Sequence, residues 1–240
     1  MTGSVPPLVS PFVGIVDIHH HDGAYDLDEL QRGGVVALVH KATQGEKLKS
    51  NVRGSGWKDP AFKEAMRRVK AAGMLRGAYH FCTGTADGRD QAEHFLSTIG
   101  DDIDDALLMM DWESNPDDIA GDMTRDNLAL MAETIKGRTG RWPFMYSFTH
   151  YFKKNYKTEH PVLGRCPLWI AQYGEKPQWM PPGFAHYELW QYTSGKDGPR
   201  DQRTYPRTTP GFKRDRQDRN AYFGGGAEEL AVDWLRWGRW

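Results

Sequence analysis

Apolar positions along the chain fall into two alternating patterns. Short aliphatic or β-branched runs, Val13–Ile18, Val35–His40, Gly77–Phe81, Ala106–Glu113 and Pro143–Ser147, read as buried strands bounded by turn-prone residues. Between them the spacing changes to that of helices. Phe62, Ala65, Met66 and Val69 share one face of a helix opened by Asp59-Pro60 as N-cap and first-turn proline and stopped by Gly73. Ala92, Phe95, Leu96 and Ile99 repeat the pattern before Gly100, and Leu128, Met131, Ala132 and Ile135 repeat it again behind a Thr124 cap. Strand and helix in alternation over five units predict an α/β fold with parallel strands and helices outside.

The second half breaks the rhythm. Leu168–Tyr173 and Glu188–Tyr192 read as strands, but the linker between them holds Pro177, Pro181, Pro182 and Gly183 and leaves no room for a helix. The expected architecture is therefore an irregular (β/α) barrel of the TIM type whose last strands are joined by bare loops. Gly195–Arg219 is polar and charge-dense, the kind of long loop that can wall a cleft. Ala227–Trp240 reads as an amphipathic helix with Leu230, Trp234 and Trp237 near one face, packed on the barrel. The expected division is a Pro-rich lead-in at 1–12, one barrel domain at 13–226 and this helix at 227–240.

The apolar run Ala106–Met110 ends in Asp111-Trp112-Glu113. If the strand continues through these residues, its alternation sends Asp111 and Glu113 to the same side, with Cα atoms roughly 6.6–7 Å apart. Two carboxylates in unlike surroundings acquire separate pKa values, so that one donates a proton while the other stays ionised, as glycoside hydrolysis requires. Asp17 interrupts the first strand, and a buried acid there must be paired or hydrogen-bonded. Tyr79, Tyr146, Tyr173 and Gln191 fall at or near strand ends, where hydroxyls and an amide can reach sugar. Trp112, Trp169 and Trp190 can equally be core packing, and His80 reads as a core histidine.

Composition narrows the partners. With 31 basic and 32 acidic residues the formal charge is -1, which gives no electrostatic reason to favour nucleic acid or an anionic membrane. Nine Trp among 12% aromatics supply flat apolar surfaces suited to the C–H faces of sugars. Cys82 and Cys166 are expected as buried thiols, since two isolated cysteines make no disulfide framework. The first twelve residues lack a basic start and an uninterrupted apolar core, so the expectation is synthesis in the cytoplasm without a signal peptide.

The motifs Gly14–Ile18, Lys41–Gly45, Gly77–Phe81, Asp111–Glu113, Leu168–Tyr173, Leu189–Ser194 and Asp218–Asn220 occur in the order found in glycoside hydrolase family 25, and the chain resembles that family of Chalaropsis-type lysozymes. The resemblance implies five βα units followed by three strands, and hydrolysis of the β-1,4 bond between N-acetylmuramic acid and N-acetylglucosamine in peptidoglycan glycan strands. It implies Glu113 as proton donor, with Asp111, Asp17 and Asp218 in the same cleft, and a retaining route in which the substrate's acetamido oxygen or a carboxylate attacks the anomeric carbon. Tyr79, Phe81, Tyr146, Gln172, Tyr173, Trp190 and Gln191 are the expected substrate-binding residues. No cofactor or metal is expected, and a monomer that reaches the wall after lysis or by a non-Sec route is. The chain departs from the family pattern at His19-His20-His21-Asp22-Gly23 and at Gln44, where the family carries Glu. Two other readings compete: a metal-dependent hydrolase of the amidohydrolase type using His19 and His21, and a peptidoglycan-binding domain without catalysis.

Overall fold

The computed structural model describes residues 14–45, 56–84, 86–115, 121–214, 217–237 and 239. The expected lead-in at 1–12 lies outside the described residues. In chain order the elements are β1 (Gly14–Ile18), α1 (Leu27–Arg32), β2 (Val35–Gln44), β3 (Trp57–Lys58), α2 (Phe62–Ala71), β4 (Leu75–Phe81), α3 (Gly88–Ile99), β5 (Ala106–Asp111), α4 (Arg125–Thr139), β6 (Phe144–Phe148), α5 (Thr149–Asn155), β7 (Leu168–Ala171), β8 (Leu189–Thr193), β9 (Asp218–Tyr222) and α6 (Ala227–Arg236).

Eight strands close a barrel in the order β1-β2-β4-β5-β6-β7-β8-β9, and the two-residue β3 hangs antiparallel on β2. All neighbours from β1 through β8 run parallel, whereas β9 is antiparallel to both β8 and β1. Five βα units followed by β7, β8 and β9 make up the fold, which is the expected α/β barrel with a helix-poor second half.

Alternation along each strand divides the apolar residues between two layers. Ile15, Ala37, Val39, Leu107, Met109, Phe144, Trp169 and Leu189 fill the barrel, while Val16, Leu38, Leu108, Met110, Met145 and Ile170 face the helices. Helix starts follow ordinary capping chemistry: Asp26 accepts from the Asp28 and Glu29 amides, Asp87 from Asp90 N, and Thr124 from Asn127 N. Helix α3 meets α4 at Gly88, where a Cβ would sit 1.9 Å from Asn127 O, so only glycine allows that approach.

The floor of the barrel is closed by α6. Leu230, Trp234 and Trp237 join the interior cluster, Trp234 Nε1 donates to Arg76 O at 2.8 Å, and the Tyr222 hydroxyl donates to Asp233. The opposite, C-terminal ends of the parallel strands remain open, and barrel enzymes place their chemistry there.

Four expectations need correction. Regular helix α2 begins at Phe62, later than the Asp59-Pro60 opening predicts, because Pro60 and Ala61 form a turn first; Asp59 still accepts from the Ala61 amide at 2.9 Å in the manner of a cap. The strand carrying Asp111 ends at that residue, so Glu113 lies beyond it and not on it. The long loop stops at Gln217, since Asp218 and Arg219 open β9. The last helix ends at Arg236, four residues short of the expected end.

Candidate active site

Every strand that reaches the open end contributes a polar side chain there. On β1 Asp17 follows Ile15 inward, and on β2 Lys41 follows Ala37 and Val39. On β5 Asp111 follows Leu107 and Met109. Beyond Asp111 the Trp112 amide still donates to Tyr146 O at 2.9 Å, and the Trp112 ring turns outward, its Nε1 on Met123 O at 2.8 Å and its edge against Tyr151. The chain is thus pinned one residue past the strand, and Glu113 leaves that point toward the cleft.

Asp17 is the best-satisfied acid. Asn220 Nδ2 donates to its Oδ2 at 2.7 Å, and Gln191 Nε2 approaches both of its oxygens at 3.1 and 3.3 Å. Both amides are themselves oriented. The Gln191 oxygen accepts the hydroxyls of Tyr146 at 2.9 Å and Tyr173 at 3.1 Å, and the Asn220 oxygen accepts Trp169 Nε1 at 2.8 Å. These bonds decide which end of each amide faces the carboxylate, so the Asp17 environment is built two layers deep.

Burial nevertheless outweighs those donors and pushes Asp17 up to about 6. Glu113 is lifted to about 7, first by burial and then by Asp17, with Lys41 pulling the other way. Asp111 and Asp218 are also raised well above the usual carboxylate range by burial and by the surrounding acids, and Asp22 adds its charge against Asp17 and Asp218. Asp111 has one carboxyl oxygen, Oδ1, buried without a hydrogen-bond partner. Four acids around one lysine cannot all be ionised at neutral pH, and the cluster retains protons there.

A cleft of about 530 Å³ opens on this cluster, lined by Glu113, Tyr146, Phe148, Thr149, His150, Lys153, Ala171, Gln172 and Tyr173. Tyr173 is 43% exposed and offers a ring and a hydroxyl to whatever occupies the cleft. The side chain of Gln172 is anchored by Thr149 Oγ1 at 3.0 Å and the Gln178 amide at 3.3 Å. On the far side, residues 194–214 rest on the β1–α1 segment through Asp26 N to Gly211 O at 2.9 Å and Arg214 to His21 O at 3.3 Å.

The structure therefore brings Asp17, Asp111, Glu113, Asp218, Tyr79, Tyr146, Tyr173 and Gln191 to one end of the barrel. Two expected binding residues, Trp190 and Phe81, lie away from the cleft surface, and a third, Gln191, is buried behind it. Trp190 is 1% exposed, points to the helix side and bonds the Gln172 carbonyl, because it sits one position out of phase with Gln191. Gln191 is wholly buried and holds Asp17. Phe81 is 9% exposed and lies beneath Lys41, whose Nζ is 4.7 Å from the ring centre. Asn220 and Lys41 were not among the expected site residues. Asn220 stands two residues from Asp218 in the polar segment Asp218-Arg219-Asn220, and that period-two spacing was its available signal.

The histidine run has local work. His19 Nδ1 accepts from His21 N, the Asp22 carboxylate accepts from His19 N, and His20 pairs with Asp59 at 3.0 Å. Among the described residues no group of three His, Cys, Asp or Glu side chains is disposed to hold a metal ion. His80 is buried between Thr43 and Gln91 and pushed down to about 3 by burial, a neutral core residue.

Residues 16–199 match the family model Glycosyl hydrolases family 25. Lysozyme M1 of Streptomyces globisporus is 26% identical over 188 residues, covering 75% of this chain and 61% of that protein. The autolytic lysozyme of Clostridium acetobutylicum is 28% identical over 159 residues, covering 66% and 44%. The chain thus spans less than two thirds of the length of these relatives. In solved structures the same fold is found in a muramidase from Acremonium alcalophilum, with a TM-score of 0.69, 24% identity and coverage of 93% of this chain and 99% of that one. A family 25 glycosyl hydrolase from Bacillus anthracis has a TM-score of 0.71 at 22% identity, with coverage of 98% and 100%. With its family match over most of the barrel and the carboxylate cluster at the open end, this chain belongs to glycosyl hydrolases family 25.

Proposed function

We propose that the chain is an N-acetylmuramidase that hydrolyses the β-1,4 bond between N-acetylmuramic acid and N-acetylglucosamine in peptidoglycan. The observation that carries the reading is Glu113, a carboxyl group lifted to about 7 at the wall of an open cleft and backed by three further acids. A group that titrates there is largely protonated in mildly acidic to neutral water yet acidic enough to give its proton up, as a general acid must. Glu113 protonates the leaving oxygen.

Asp111 takes the second part. Asp111 stands with Glu113 at the open end, and its carboxylate, once ionised, can accept an acetamido N–H of the sugar. Accepting that bond aims the acetamido oxygen at the anomeric carbon and stabilises the positive charge that spreads onto the oxazolinium ring. Asp17 and Asp218 line the same end, the first held by Asn220 and Gln191 and the second approached by the Tyr173 hydroxyl at 3.5 Å. Phe148 and Tyr173 provide ring faces for sugar.

The relatives named as lysozymes support the same activity. The test is digestion of purified peptidoglycan, with the new reducing ends identified by mass spectrometry. Reducing-end muramic acid is the expected product, and reducing-end glucosamine or freed stem peptides would overturn the assignment.

A further inference from the structure

Among the described residues Lys41 is the cation whose charge reaches Asp111 and Glu113, and its immediate partners are neutral. Lys41 Nζ donates to Gln44 Oε1 at 2.7 Å and lies 4.7 Å from the ring centre of Phe81 and 5.4 Å from that of Trp57. The β2–β4 register slips between Lys41 and Thr43, and Gln44 follows immediately, three residues on from the lysine it receives. An amide oxygen and two aromatic faces hold an ammonium in place without cancelling its charge, which a carboxylate at the same position would do.

That charge acts on the acids around it. Phe81, beneath the ammonium, is the register partner of Asp111 in the β4–β5 pairing, so Asp111 and, just past β5, Glu113 lie where Lys41 faces them, with Asp59 on the approach to α2, His19 on the β1–α1 segment and His80 on β4. Around Glu113 stand Lys41, Asp17, Asp111 and Asp218, with the hydroxyls of Tyr146 and Tyr173. His150 and Lys153 line the cleft wall farther along α5, and among the described residues it is Lys41 whose charge opposes both burial and the neighbouring carboxylates at Glu113.

We propose that Lys41 is a positioning residue which, held by the neutral amide of Gln44, directs its undiminished positive charge onto the Asp111 and Glu113 pair and thereby decides where on the pH scale the acid works. The functional part of this inference rests on the muramidase reading; the electrostatic part does not. Gln44 is the element that leaves the charge available. Replacing it by Glu would keep the reach and the hydrogen bond while neutralising the lysine locally. Glu113 would then hold its proton to higher pH, and the alkaline limb of activity would move up with it.

The experiment is a ¹³C NMR titration of the Glu113 side-chain carboxyl, assigned by its loss in Glu113→Gln. It is run on the wild type, Gln44→Glu, Gln44→Leu and Lys41→Met, alongside the pH profile of kcat/KM on solubilised peptidoglycan. Gln44→Glu and Lys41→Met should each raise the Glu113 midpoint by about 0.5–1 pH unit, the size expected for one charge acting across a partly solvated site. Gln44→Leu, which removes the hydrogen bond without adding charge, should raise it by less than half as much. An unmoved midpoint in both Gln44→Glu and Lys41→Met, or an equal shift in Gln44→Leu, overturns the proposal. If the midpoint moves while the alkaline limb stays put, the electrostatic assignment of Lys41 stands and the role of Glu113 as general acid falls instead.

Discussion

Glu113→Gln should make the protein more stable and less active, and the stability gain should depend on pH in a direction fixed by the site. In the folded chain burial lifts Glu113 from 4.5 to about 7. Below about pH 4.5 the group is protonated in folded and unfolded chains alike and costs nothing. As pH rises through the window from 4.5 to 7 the unfolded chain releases the proton first, and the folded state loses stability relative to it. Above about pH 7 the penalty is complete. A shift of 2.5 units corresponds to about 3.4 kcal/mol at most, and partial exposure at the cleft wall reduces it to roughly 1–3 kcal/mol. Glutamine has nearly the same shape and no charge to desolvate, so it escapes the penalty. Urea unfolding of both proteins at pH 4, 6 and 8.5 measures the difference. The curves should nearly coincide at pH 4 and separate progressively, reaching about 2–10 °C in Tm at pH 8.5 if followed by heat instead. A variant whose advantage is the same at pH 4 and pH 8.5, or larger at pH 4, would refute the description of Glu113 as a desolvated acid.

The remaining predictions concern other parts of the molecule. Asn220→Leu removes the 2.7 Å donor to Asp17 and strands the Trp169 N–H, so kcat should fall by roughly 10–100-fold while KM changes little; a wild-type kcat would remove Asp17 from the account. Gly88→Ala forces a Cβ to within 1.9 Å of Asn127 O and should lower stability by about 1–3 kcal/mol by chemical denaturation, with activity per folded molecule retained. Activity should survive a strong chelator, because four carboxylates and the substrate's acetamido group suffice for the chemistry; loss restored by zinc would return attention to His19 and His21.

What the sequence made legible follows the physics of burial. Strand β5 is buried along its whole length and apolar up to Met110, so Ala106–Met110 announces it and its trailing acids without ambiguity. Strand β9 reads Asp-Arg-Asn-Ala-Tyr and hides among loop residues because its polar side chains bond to individual partners rather than alternating with apolar ones. Arg219 bonds the Thr208 carbonyl, and Asn220 binds Asp17, Trp169 and the Ile15 carbonyl. Helices α1 and α5 have six and seven residues, too few to display a helical period. Trp190 and Gln191 show the limit most clearly. They are neighbours in one short strand, and only the phase of β8 sends the tryptophan to the helices and the amide to Asp17. The role of Lys41 was equally hidden, since its partners Gln44, Phe81 and Trp57 are brought together by the pairing of β2 with β3 and β4.

The division of labour between Asp111 and Glu113 is the centre of the account, and a substrate with an activated leaving group tests it most directly. On peptidoglycan, Glu113→Gln should lose the general-acid contribution of about 10²–10⁴-fold in kcat, and Asp111→Asn should also fall mainly in kcat, because the charge it stabilises appears only near the transition state. On an aryl glycoside of the same sugar, whose phenolate departs without a proton, Glu113→Gln should recover a large share of the loss while Asp111→Asn stays slow. Recovery in Asp111→Asn instead would reverse the two roles, and near wild-type turnover of both variants on peptidoglycan would show that the chemistry lies elsewhere.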